Sequence, residues 1–493
     1  MTPVPPHSAA GRRPAARPPR TSRGTPRFVP GPHAPTRHPR QGGAGSVRLG
    51  ERLTVRFTGV TPDGAAIARL GAVHVAVPFG VPGEEALIEI TKGGRRAEGR
   101  LLALLRKSPD VAPARCRHFG RCGGCQWQHV APELQRRLKT RLVKDYLKEH
   151  ADLQRDVVAD TLGAEAWAYR NTLRVVFAER GGEIVLGYRA AGSSRVLDIV
   201  ECPVQHGANE AMLQAVRDAV SDLGLPIYDH ERGTGLVRGV LGMTSFATGH
   251  ALLTVSSRGP LPDPTAVVHA LIDRVPGLAG ILNTVQPARS LDLQGPRWHL
   301  LWGRDHVEDE IAGLRVRLRP MTAMPANPRG MTLLIDAVRR AADLRSGDVA
   351  VDLTADTPAV TLALAQVGEG ATGVVRGRRD VDDAWYAARV NGVANALFTT
   401  RDAPGVLASL AERRVPDVVV ATASGPGLDS AIVAAVALAR VPRVVYLARS
   451  LATCARDLVS WRHAGYDPVL VQPVDLLPHT SHVHVVAALR RMN

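Results

Sequence analysis

The 493-residue chain is too long for one typical domain, and a prior of about 150 residues per domain suggests roughly three. With 45% hydrophobic and 22% charged residues it reads as globular, and no uninterrupted apolar run approaches the roughly 20 residues that cross a bilayer, which excludes a transmembrane class. The 62 basic residues against 46 acidic ones leave a formal charge of +16, which points to a polyanionic partner, nucleic acid first.

Residues 1–47 carry eight Arg, eleven Pro, no Lys and no acid. With almost no large apolar side chains, such a segment buries too little to offset chain entropy, so a disordered basic tail is expected. It serves either as a sequence-independent phosphate-binding arm or as a solubilising extension. Its prolines oppose the amphipathic helix of a transit peptide. Five Cys in the whole chain are far from disulfide density, and the reading is a cytoplasmic protein without an obligate protein partner.

From 48 to 105 the pattern becomes short alternating runs, Leu53 to Phe57 and Val73 to Val77, then a turn at Val81 to Glu85 feeding Ala86 to Ile90. These predict the strands of a small barrel. Residues 106–325 open on a cysteine cluster and a helix, followed by strand-like stretches at 173–177 and 184–188. Over 326–493, short β-branched segments at 348–353, 371–375, 417–421 and 443–447 alternate with helix-length stretches, which predicts an α/β sheet covered by helices on both faces.

Cys116, Cys122 and Cys125 lie in Cys-Arg-His-Phe-Gly-Arg-Cys-Gly-Gly-Cys, where two Gly let the backbone fold tightly enough for thiolates to converge. Three ligands are one short of a closed site, and Cys202 in Glu-Cys-Pro-Val-Gln is the fourth candidate. A [4Fe–4S] cluster fits best, with a four-thiolate zinc site as rival and unliganded buried Cys as the plain alternative. Leu134, Leu138, Leu142 and Tyr146 then recur every four residues of a helix, with Arg136, Arg137, Lys139, Arg141 and Lys144 elsewhere around it, either on a solvated face or against RNA phosphates.

This order resembles the RNA (uracil-5-)-methyltransferase family over about 48–493. The resemblance rests on Cys122-Gly-Gly-Cys-Gln-Trp-Gln-His129, Cys202-Pro-Val-Gln205, Tyr169-Arg-Asn171, Asn391-Gly-Val-Ala-Asn395 with Phe398, Ala455-Arg-Asp-Leu458, Asp475-Leu-Leu-Pro478 and Thr480-Ser-His-Val483. It implies a TRAM-type, OB-like barrel, an iron–sulfur segment in a central α+β RNA-binding domain, and a C-terminal class I, Rossmann-like methyltransferase domain. The implied partner is ribosomal or transfer RNA, and the implied cofactors are the [4Fe–4S] cluster and S-adenosylmethionine.

In the family, a Cys thiolate adds to carbon 6 of uracil, carbon 5 takes the methyl group, and a Glu removes the carbon 5 proton. Here Arg449 stands at the nucleophile position, where a guanidinium cannot act, and His484 stands at the base position. The donor positions differ as well. Thr354 begins a segment, Thr354 to Pro358, that lacks the family's glycines; Val375 replaces the acid that grips the ribose; Thr422 begins Thr-Ala-Ser-Gly in place of Asp-Pro-Pro-Arg; and Pro325 replaces a Gln, while Asn327 stays.

These changes predict an RNA-binding protein that keeps its cluster and has lost methyl transfer. The alternatives are an active enzyme with a rearranged pocket that uses His484 as base, and a cluster that senses redox state or iron and gates RNA binding. Cys454 shares a helical stripe with Leu451 and Leu458, which predicts a packed core thiol rather than a substitute nucleophile. His479, His482 and His484 offer a weaker metal constellation, the last two alternating on one face of an expected strand.

Overall fold

The computed structural model describes residues 46–320, 322, 326–423 and 425–492. The basic tail up to residue 45 and Pro325 therefore lie outside the described residues.

Alternation between apolar and charged residues curls the first segment into a closed barrel of β1 (Arg52–Val60), β2 (Ala66–Leu70), β3 (Val73–Val77), β4 (Glu85–Lys92) and β5 (Arg96–Arg106), in the order β1-β2-β3-β5-β4. Val73, Val75 and Val77 point inward with Ile88 and Phe57, while His74 faces out, as the period of two requires. The cysteine segment follows, then α1 (Pro132–Ala151) and the short β6 (Leu162–Gly163).

The central sheet is built from β7 (Thr172–Arg180), β8 (Glu183–Arg189), β9 (Val196–Asp198), β10 (Val237–Thr244), β11 (Ala251–Ser257), β12 (Leu278–Val285) and β13 (Arg297–Gly303), ordered β13-β12-β11-β10-β7-β8-β9. Its apolar side chains pack with α2 (Gly207–Asp222) and α3 (Pro264–Ile272) in one core. A hairpin of β14 (Val307–Ile311) and β15 (Leu314–Leu318) leads out of it.

The last sheet contains β16 (Val349–Asp352), β17 (Gly370–Val374), β18 (Ala396–Thr399), β19 (Val418–Thr422), β20 (Arg443–Ala448), β21 (Tyr466–Asp475) and β22 (His484–Arg491), in the order β18-β17-β16-β19-β20-β22-β21-β6. The four strands expected from β-branched runs are present and parallel to one another, and β22 enters antiparallel between β20 and β21. Helices α4 (Pro328–Ala342), α5 (Pro358–Ala365), α6 (Arg378–Val390), α7 (Ala403–Ala411), α8 (Ser430–Leu438) and α9 (Leu451–His463) pack on it. The chain runs outward from β16 to β18 and returns through β19 on the other side. The strand order therefore reverses between β16 and β19, where open α/β sheets form their ligand crevice.

The loop 476–483, which delivers His484, is held by three other parts of the chain. Gln126 and Trp127 donate their backbone N–H groups to the His479 carbonyl, each at 2.9 Å, and the buried Trp127 indole donates to Gly64 O of the barrel at 2.9 Å. Gly64 has φ +92°, and a Cβ there would stand 3.2 Å from Ser481 Cβ, so glycine permits this approach of barrel to loop. Tyr169 OH donates to Pro478 O at 3.1 Å, and Gln135 Oε1 accepts from His479 N at 2.7 Å.

Lys139 corrects the sequence reading. It lies neither on a solvated face nor against a phosphate: it is 0% exposed, and its Nζ lies 2.6 Å from Asp475 Oδ1 and donates to Leu477 O at 3.2 Å. The face that α1 buries includes Gln135, Leu138, Lys139, Leu142 and Val143. Gln135 and Lys139 thus sit in the apolar stripe because each is satisfied, Lys139 by Asp475 and Leu477, and Gln135 by Trp127 O, Val130 O and the His479 N–H.

Candidate active site

At the switch point, the ends of β16, β19 and β20, the start of β22 and the first turns of α4 and α5 line a small, partly open cavity. Met331, Leu334, Val360 and Leu447 give it an apolar wall, and Asp352, Asp356, Thr354, Thr422, Arg449 and His484 bring polar groups to it. The sequence-predicted positions Arg449, His484, Thr354 and Thr422 are therefore gathered in one place. Val375 is buried, with its N–H donated to Thr399 O at 2.9 Å, and does not line the cavity. Pro325 remains outside the described residues. Asn327 caps α4, accepting from Gly330 N at 2.9 Å and donating to Leu476 O at 3.1 Å, a structural role that ties α4 to the 476–483 loop.

Arg449 reaches from the end of β20 to Asp356, Nη2 to Oδ2 at 2.6 Å, and Arg376 approaches the other carboxylate oxygen at 3.6 Å. Two guanidinium groups thus share one carboxylate beside the cavity. Thr354 Oγ1 accepts the Thr422 N–H at 2.5 Å, so side chain and backbone bridge the space between β16 and β19. Cys454 is 0% exposed and absent from the cavity wall; burial pushes its thiol far up, with Asp457 adding to the effect. It is the core thiol that its stripe predicts.

His484 corrects a second expectation. Its pKa falls from the ordinary imidazole range to about 3 through burial first, with further lowering from Arg449, Lys139 and His482. The ring is neutral near pH 7 but a weak proton acceptor, and its enclosed Nδ1 has no hydrogen-bond partner among the described residues. His482 is exposed and precedes β22, which starts at His484, so the two do not alternate along a strand. Buried His479 is bound through Nδ1 to Gln135 Nε2 at 3.1 Å.

Asp352 is the strongly perturbed acid. Burial lifts its pKa to about 7 against hydrogen bonds from Thr361 Oγ1 at 3.0 Å and Thr354 N at 3.3 Å, and Asp356 adds to the rise. A folded pKa above the unfolded one means that stability is complete below about pH 4 and is lost as pH rises toward 7. Asp352→Asn, which mimics the protonated acid, should therefore match the parent near pH 4 and exceed its unfolding free energy near pH 8 by about 2–4 kcal/mol. Denaturant titrations at both pH values check this; an equal difference at each would refute it.

The cysteines occupy one neighbourhood. Gln128 bridges two of them, accepting from Cys116 N at 3.1 Å and donating to Cys125 Sγ at 3.4 Å. Cys122 pairs through its backbone with Ala190, just past β8, and Cys202 N donates to Glu210 Oε1 of α2 at 2.6 Å. Burial raises the Cys122 thiol, and raises Cys125 to about 11 and Cys202 to about 12, with a smaller push upward from neighbouring sulfurs. Among the described residues, no group of three or more His, Cys, Asp or Glu is gathered closely enough to hold a metal ion. The four Cys thus share one neighbourhood without forming a closed ligand set, and His479, His482 and His484 form no metal-holding group among the described residues.

No protein-family model matches the chain. It is 30% identical over 451 residues to an uncharacterized RNA methyltransferase of Halalkalibacterium halodurans, an alignment spanning 91% of this chain and 98% of that protein. A second uncharacterized RNA methyltransferase, from Gloeobacter violaceus, is 31% identical over 91% of this chain and 98% of its own. The chain belongs to the RNA methyltransferase family. Among solved structures, the Pyrococcus abyssi tRNA (uracil-54, C5)-methyltransferase in complex with S-adenosyl-L-homocysteine superposes with a TM-score of 0.69 at 20% identity, over 88% of this chain and 99% of that one. The barrel followed by a Rossmann-like sheet is thus the family's fold, as the resemblance implied.

Sequence reading of this RNA methyltransferase-family protein missed Asp356, Lys139 and the burial of Asp352. A signal existed for Lys139, because 135, 138, 139, 142 and 143 have the spacing of one buried helical face. No local signal marks Asp356, whose partner Arg449 is 93 residues away.

Proposed function

We propose that this protein binds ribosomal or transfer RNA in the cytoplasm and has lost methyl transfer. The observation that carries this reading is the pairing of Arg449, which the resemblance sets at the nucleophile position, with Asp356 in a cavity that no thiol lines among the described residues. A guanidinium has no nucleophilic lone pair at neutral pH, and the weakly basic His484 is a poor replacement for a carboxylate base. Val375, which the resemblance sets at the ribose-gripping position just past β17, is buried and has no side-chain acceptor for ribose hydroxyls.

The reading includes a [4Fe–4S] cluster on Cys116, Cys122, Cys125 and Cys202. The shared neighbourhood of the four supports it, and so does their tethering to the cysteine segment and to α2. Loading must draw the sulfurs inward and displace protons from raised thiols, so assembly should be favoured at higher pH. The cluster would then clamp the segment between barrel and central sheet.

Calorimetric titration of anaerobically purified protein with S-adenosylmethionine tests the main reading. No heat is expected up to about millimolar ligand, an affinity weaker than about 4 kcal/mol. Micromolar binding would overturn it and restore an active methyltransferase with a rearranged site. Iron and sulfide analysis of the same preparation decides the cluster, since zinc without sulfide would refute it.

A further inference from the structure

Where the cysteine segment, the central sheet and the C-terminal sheet meet, arginines and aromatic rings alternate. The Arg115 guanidinium lies 4.5 Å from the centre of the Trp167 ring, and Trp167 packs on His479 with ring centroids 4.0 Å apart. Two residues earlier, Glu165 pairs with Arg329 at the start of α4. The Arg329 guanidinium lies 5.6 Å from the Phe246 ring, and Phe246 packs on His206 at 4.8 Å.

Single arginine–aromatic contacts are common and hold surfaces together. This set differs in two ways. Both contacts are joined through one short segment, 165–167, although their members come from three parts of the chain. Arg115, in addition, is exposed and has no carboxylate partner among the described residues. Trp167 and Phe246 are half-buried, so each is fixed in place while retaining accessible surface.

We propose that this strip is a stacking track for an unpaired stretch of RNA, with Trp167 and Phe246 as platforms for its bases. The inference rests on the RNA-binding reading above and names the form of RNA that this surface accepts. Every base has a π face that stacks on an aromatic ring, whereas the bases of a duplex are already stacked on one another and cannot. An arriving base takes the place of the Arg115 guanidinium on Trp167, and the displaced cation, free of any carboxylate, turns to the phosphate. Arg329, beside Phe246, supplies a second cation on the same track.

The test is binding of a short labelled single-stranded oligouridylate by the full chain, alongside an RNA duplex of equal length. Trp167→Ala should weaken oligouridylate binding about tenfold, the loss typical of one stacked base, while duplex affinity changes less than about twofold. Trp167→Phe should restore most of the loss, because a smaller ring still stacks. Arg115→Ser, at an exposed position, should cost about fivefold at low salt and lessen the salt dependence. Equal losses for single strand and duplex would reduce Trp167 to a support for His479 and overturn the track. Undiminished binding by Trp167→Ala would also overturn it while leaving RNA binding intact, and a parent protein that binds neither RNA would remove both readings.

Discussion

Lys139→Met should lower the unfolding free energy by about 3–5 kcal/mol, the typical effect of leaving a buried charge without its partner. The ion pair with Asp475 spans 2.6 Å between side chains that are 0% and 4% exposed, and Asp475 Oδ1 also accepts the Leu477 N–H at 3.1 Å. Burial pulls the Lys139 pKa down, and the Asp475 carboxylate opposes it by charge and hydrogen bond. The loss is comparable to the whole stability of many domains, about 5–15 kcal/mol. Asp475→Asn in the Lys139→Met background should recover much of it by removing the stranded charge. Urea unfolding of the three proteins measures the cycle. A single mutant within about 1 kcal/mol of the parent would show that the pair is dispensable. The functional consequence is local, since the pair fixes the loop that leads to His484 and to His479 beneath Trp167.

RNA affinity should fall by about 300-fold or more between 50 and 200 mM salt, if roughly six or more phosphates of single-stranded RNA are neutralised. The charge of +16 supplies enough cations, and the eight Arg of residues 1–47 account for half of it. Deleting that segment should lower the log–log salt slope by about 0.7 for each phosphate of single-stranded RNA that its arginines neutralise, up to nearly 6 if every Arg is engaged. Fluorescence anisotropy across a salt series, with and without the tail, reads both quantities. An unchanged slope would make the tail a solubilising extension, and an affinity indifferent to salt would remove the polyanion reading altogether.

The parts of this fold that follow local rules were legible in the sequence. Val73 to Val77 alternates and becomes a barrel strand; Val349 to Asp352 and Val418 to Thr422 are continuous apolar runs and become central parallel strands. The family's motifs also placed Arg449, His484, Thr354 and Thr422 before any geometry was known, because the order of motifs along the chain fixes the order of strands in the sheet. His484 shows the limit of such reasoning. A residue type carries an ordinary pKa near 6.5, but burial and the Arg449 charge bring it to about 3, and neither is a local property.

The sequence by itself determined the barrel, the parallel sheet and the family, since each depends on periodicity or residue identity within a short window. Only the tertiary structure decided where the charges go. Lys139 reads as a surface lysine until Asp475, 336 residues away, removes it from water. Arg449 reads as a lost nucleophile until Asp356 and Arg376 make it one side of an ionic bridge beside the cavity. Arg115, Trp167, Phe246 and Arg329 are scattered along the chain and become one strip only when three segments meet. Coulombic and stacking energies depend on distances of a few ångström and on the water excluded around them. Separation along the chain encodes neither.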